Sequence, residues 1–142
     1  MLFIALTIER MAHRMKDPGR QKLGLDLRLA ILALHHRARA GHIACSLSCI
    51  DLMTGMLILH KEEQDRFILS KGHAASALYT CLHHLGEISE EQLLTLYLDG
   101  TSLPAHPAPL KFKSVPFATG SLGHGFSLGA GMAKAKKMRQ DS

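Results

Sequence analysis

Between Phe117 and Ala133 the chain reads FATGSLGHGFSLGAGMA, which places Gly120, Gly123, Gly125, Gly129 and Gly131 in one short window. Most of that window, from about Leu122 to Met138, has the composition of a helix, where each glycine costs roughly 0.5–1 kcal/mol relative to alanine. A chain that accepts this repeatedly needs its backbone to come very close to something. A glycine-rich turn entering a helix offers backbone N–H groups and a positive dipole end to polar or anionic ligand atoms. Equally, Gly125, Gly129 and Ala133 recur every fourth residue and make a smooth stripe against which another helix can pack. The two readings are compatible. The pattern is not GxGxxG and has no phosphate-loop lysine, so pattern alone does not choose the ligand.

A chain of 142 residues is one domain or part of one. Its 46% hydrophobic content supports a core, and 20% charged residues argue against disorder. No apolar run is long enough to span a bilayer. The opening MLFIALTIERMAHR puts apolar residues before basic ones, the reverse of a signal peptide. A cytoplasmic protein is expected, with residues 1–20 a frayed or partner-facing extension and residues 21–142 the domain. Cys45, Cys49 and Cys81 form no CxxC pair and read as reduced, buried thiols. The net charge of +5 comes from bases gathered near the two ends, and the 5% aromatics are not interleaved with them. That reads as a solvated basic face rather than a nucleic-acid platform.

Along the chain, Asp17-Pro18-Gly19 reads as a turn before a helix from Leu23 to Ala40, with Gly41 as its C′ residue. A buried helix is expected from about Ser48 to Leu59. Arg66 to Ser70 reads as a short buried strand leading into a helix over Ala74–His84. Ser89 and Gln92 make a capping box for a short helix to about Tyr97. Asp99 to Pro116 carries four of the five prolines and reads as an ordered loop. The segment PFATG then reads as a second short strand. Strand-then-helix order twice over predicts an α/β fold with a parallel sheet, mostly helical because two strands are too few to complete that sheet.

Ten histidines are many for this length. His42, His73, His106 and His124 each lie next to glycine or proline in loops or at helix ends, where a ring is free to enter a cleft and carry a proton near neutral pH. The pairs His35-His36 and His83-His84 lie within helices, where neighbours point about 100° apart, and read as structural. Zinc is a weaker alternative, since HExxH is absent and Cys45-x3-Cys49 lacks a second pair. Ser121 lies in G-S-L-G rather than a nucleophile elbow.

The segments AGHIACSLSCIDL, DRFILSKGHAASALYTCLHHLG, LPAHP and TGSLGHGFSLGAGMA stand in the order and spacing of the N-terminal part of transketolases, and from about Leu25 to Met138 the chain resembles that family. It is most similar to the bacterial type in which the two halves are separate chains. The resemblance implies a thiamine diphosphate-binding α/β domain, with Mg²⁺, moving a two-carbon ketol unit between sugar phosphates. It implies that His73 contacts the cofactor diphosphate, and that Gly120, Ser121 and Leu122 hold the aminopyrimidine ring. It further implies that His42 and His106 line the substrate channel, binding hydroxyls and moving protons, and that His124 sits on the cofactor side. Ile43 stands where the family usually has proline, and Ala105 where glycine is usual.

In the family the metal ligands lie in a Gly-Asp-Gly motif and a later asparagine, beyond the position of Ser142. No metal ligand is therefore expected here, and the glutamate that activates the aminopyrimidine is expected from a partner half in a homo- or hetero-oligomer. The expected function is a transketolase-type component that works with missing sequence or a partner and binds the cofactor weakly alone. The alternatives are a non-catalytic remnant or interaction module, and an unrelated metal- or nucleic-acid-binding protein.

Overall fold

A computed structural model describes residues 17–59, 65–109, 112 and 114–139. The N-terminal extension expected to fray lies, up to residue 16, outside the described residues. The elements are α1 (Pro18–Ala38), α2 (Ile43–Leu47), α3 (Ile50–Met53), α4 (Ala75–His84), α5 (Glu90–Leu93) and α6 (His124–Arg139). A wide π turn over Thr54–Leu59 prolongs α3, and a 3-10 turn over Gly72–Ala74 precedes α4. Among the described residues there is no strand, so the two short parallel strands expected at Arg66–Ser70 and PFATG are corrected. A strand exists only through its ladder, and here Thr119 N–H bonds back to Pro107 O at 3.3 Å instead.

Helix α4 is the hub. Its residues from Ala75 to Leu82 are all buried, as an all-round apolar helix must be. It packs against α1, α2, α3 and α5. Leu27, Ile31 and Leu34 of α1, Ile50 and Met53 of α3, and Leu96, Leu103 and Val115 from the connecting segments complete one core around it. The three buried side-chain polar groups of α4 are satisfied: Thr80 Oγ1 donates to Ser76 O at 2.8 Å, Tyr79 OH to Pro104 O at 2.9 Å, and Ser76 Oγ bonds to His35 Nε2 and Ser46 Oγ at 2.8 and 2.7 Å. The second bond, with buried Leu103 and Pro107, seats the described part of the proline-rich loop on α4.

Local chemistry sets the helix ends. Asp17 is the N-cap of α1, accepting from Arg20 N–H at 3.2 Å, with Pro18 in the first turn. The Asp-Pro-Gly segment thus starts the helix rather than preceding it, five residues earlier than Leu23. At the other end Arg39, not Gly41, takes the left-handed position with φ 49°. The helix expected over Ser48–Leu59 is found as α3 and its π prolongation from Ile50 to Leu59, and a break at Cys49 (φ −120°, ψ −5°) separates it from α2, which was not expected. The capping box of Ser89 and Gln92 is present, with bonds of 3.0 and 3.1 Å. Its helix ends at Leu93, short of Tyr97, which sits at φ 66°.

Helix α6 is set apart from the core, and only Gly125 along it is buried. A Cβ at Gly125 would come within 2.5 Å of Ser70 Cα, whereas one at Gly131 would meet nothing within 4 Å. The smooth stripe therefore serves contact at its N-terminal end: Gly129 meets only the tip of Ile68, at 3.7 Å. Gly125→Ala should lower the thermal midpoint by several degrees, since steric overpacking of this kind costs about 1–3 kcal/mol. Gly131→Ala should raise it, by about 0.8–1 kcal/mol of helix propensity.

Burial also gives the core a pH signature. Cys81 is pushed from 9.0 up to about 12, first by burial and then by the nearby Cys49 thiolate. Burial raises Tyr79 and Tyr97 too. The folded chain then holds protons that the unfolded chain releases, so stability present below pH 9 is lost as pH rises toward about 12. Urea midpoints should fall between pH 9 and 11, and Cys81→Ala should make that fall shallower.

Candidate functional site

Three imidazoles from three separate segments meet. His42 lies between α1 and α2, His73 in the 3-10 turn before α4, and His106 on the proline-rich loop. The rings of His42 and His73 have centroids 5.2 Å apart, and those of His73 and His106 4.7 Å apart, edge to face. His42 and His106 are exposed and His73 is half-buried, so the cluster opens to solvent. His42 holds a left-handed backbone, φ 63°, as the residue capping α2. Such a conformation is rare outside glycine and costs on the order of 1–2 kcal/mol.

The glycine-rich turn joins this cluster at one point. A Cβ placed on Gly120 would lie 3.6 Å from His106 Cδ2, an ordinary contact. Beyond it Ser121, Leu122 and His124 are exposed, Leu122 to 77%. The structure thus brings together His42, His73, His106 and Gly120, and leaves Ser121, Leu122 and His124 on the open side of the turn. Gly123 supplies φ 84° there, and His124 N–H donates to Ser121 O at 3.2 Å.

The turn is held by a close crossing of backbone. A Cβ at Gly72 would sit 2.2 Å from the carbonyl oxygen of Thr119, so the chain entering α4 touches the chain entering the turn directly. Ser70 Oγ accepts from Phe126 N–H at 3.1 Å, capping α6 from a distant segment, since Gly123 has no side chain to do so. Lys71 Nζ donates to Ser48 Oγ at 2.8 Å, tying the same segment to α2. Sequence reasoning missed Ser70 and Lys71 as supports. The one available signal was a helix start without a local cap.

These groups suit polar or anionic ligand atoms. Imidazole N–H groups and a glycine turn offer donors to polar and anionic atoms, and Thr119 Oγ1 beside the turn is buried without a hydrogen-bond partner. Among the described residues no three His, Cys, Asp or Glu side chains are placed to hold a metal ion. An apolar groove of about 650 Å³ runs between α6 and the segment 66–71, lined by Leu52, Met53, Met56, Phe67, Leu69 and Phe126 among others. Within the described residues no helix is long and apolar enough to cross a membrane.

Residues 28–142 match the family profile of the transketolase thiamine diphosphate-binding domain, and the chain belongs to that family. Among its relatives, an apulose-4-phosphate transketolase subunit of Phocaeicola vulgatus is 38% identical over 120 residues, covering 78% of this chain and 42% of that protein. The protein of the same name from Actinobacillus succinogenes is 34% identical over 127 residues, covering 82% and 46%. Human transketolase is 35% identical over 121 residues, covering 78% and 19%. The chain thus spans less than half the length of these relatives.

Because an alanine methyl at position 120 meets only ordinary contact, Gly120→Ala should leave the thermal midpoint within about 2 °C of the wild type. Gly72→Ala should lower it by several degrees, which differential scanning fluorimetry would read. An equal loss from both would show that packing within this chain, not access to the cluster, demands glycine at 120.

Proposed function

We propose that the chain is a transketolase-type component that binds thiamine diphosphate and contributes to transfer of a two-carbon ketol unit between sugar phosphates. The observation carrying this reading is the convergence of His42, His73 and His106 beside Gly120. Family membership supplies the cofactor, and the cofactor when bound supplies the electron sink for cleaving and forming carbon–carbon bonds.

Each residue has a role consistent with its position. His73 donates an imidazole N–H to the diphosphate. Gly120, Ser121 and Leu122 hold the aminopyrimidine through backbone groups and apolar contact, with His124 on the same side of the turn. His42 and His106, the exposed members of the cluster, bind substrate hydroxyls and pass protons to and from the oxygen where charge develops.

The rest of the assembly belongs to the same proposal. Two relatives are named as subunits of an apulose-4-phosphate transketolase, which supports a second chain supplying the other half of the site. Mg²⁺ would be held by residues other than the described ones and would neutralise diphosphate charge. The α/β character of the complete domain needs partner strands for the non-helical segments 65–71 and 115–120. A cytoplasmic setting agrees with three free cysteines. The division into an extension at 1–20 and a domain at 21–142 belongs to the same reading, with the family match covering 28–142 and α1 beginning at Pro18.

Isothermal titration of thiamine diphosphate with Mg²⁺ tests the reading. Binding should occur, and His73→Ala should weaken it at least about tenfold, the loss expected for a charge-assisted hydrogen bond. No binding by the wild-type chain, or equal binding by both proteins, would overturn it.

A further inference from the structure

His35 is buried and outside the imidazole cluster, yet both hydrogen bonds of its ring lead toward that cluster. Its Nδ1 lies 3.1 Å from Ala40 O, and its Nε2 2.8 Å from Ser76 Oγ. A carbonyl oxygen only accepts, so Nδ1 carries a proton and donates, and in that tautomer Nε2 accepts from the Ser76 hydroxyl. Ser76 Oγ is then left to accept from Ser46 Oγ, 2.7 Å away. All four groups are satisfied in a single direction.

Their places in the chain give the network its meaning. Ala40 lies two residues before His42 and Ser46 four residues after it, so the network grips the connection on both sides of that histidine. Ser76 lies three residues after His73, on the turn and helix that carry the neighbouring ring. The backbone is strained twice here, at Arg39 (φ 49°) just before Ala40 and at His42 (φ 63°) between the two gripped points. Non-glycine residues persist in that region only where the surroundings over-determine them. Tyr97, itself at φ 66°, sets its ring 5.5 Å from that of His35.

We infer that His35 is a positioning residue: through Ala40, Ser76 and Ser46 it sets the His42 ring against the His73 ring. The importance of that pairing for catalysis rests on the function proposed above, but the pairing itself is a property of the chain alone. His106 provides an internal comparison. Its loop is anchored through Tyr79 OH to Pro104 O, outside the network.

The experiment uses isotope-labelled chain without cofactor and reads nuclear Overhauser cross-peaks between histidine ring protons. Wild type should show both the His42–His73 and the His73–His106 cross-peaks. His35→Phe removes both ring hydrogen bonds, and Ser46→Ala cuts only the arm beyond His42. Each should lose the His42–His73 cross-peak and retain the other, with unchanged helical circular dichroism. Retention of both cross-peaks in the folded variants, or their joint loss, would overturn the inference. If His35→Phe does not fold, Ser46→Ala decides by the same criterion. Failure of the wild-type chain to bind thiamine diphosphate would overturn the functional reading and leave this result standing.

Discussion

Two backbones cross at Gly72 and Thr119 with no room between them for a methyl group. That contact, and the similar one between Gly125 and Ser70, fixes where the glycine-rich turn lies relative to the start of α4. His73 follows Gly72 directly, and Gly120 follows Thr119 directly, so the crossing sets the distance between the imidazole cluster and the turn. Main chain against main chain is a stiff arrangement, because neither side has a rotamer with which to give way. Ser70 then uses the proximity to cap α6.

The glycines of the window therefore have different causes. Gly125 is required by the packing of this chain and Gly123 by its own left-handed backbone. Gly120 faces only the edge of His106 at ordinary distance, and Gly131 faces open space. For these two the chain itself makes no demand. At Gly120 the neighbour is the carbon edge of the His106 ring; nothing in the structure explains Gly131.

Much of this was readable in the residues, and the failures have physical reasons. His42, His73 and His106 lie in segments whose order resembles the transketolase pattern, and glycine or proline beside each signals a ring at a loop or helix end. The capping box at Ser89 is local chemistry over four residues and was legible for that reason. Arg66–Ser70 has strand composition, yet a ladder is a long-range fact that β-propensity does not contain. The misplaced start of α1 came from reading Asp-Pro-Gly as a turn when Asp at the N-cap and Pro in the first turn fit a helix equally well. His35, Ser46 and Ser76 were illegible as a set, because residues 30 and 41 positions apart are joined only by the fold.

The left-handed backbone at His42 bears on how any replacement there is to be understood. Removing the imidazole with alanine also installs a side chain ill suited to φ 63°, so two perturbations arrive together. Asparagine tolerates that conformation far better while lacking a ring, and glycine tolerates it best. A comparison of alanine with asparagine at position 42 would separate what the ring does from what the bend does.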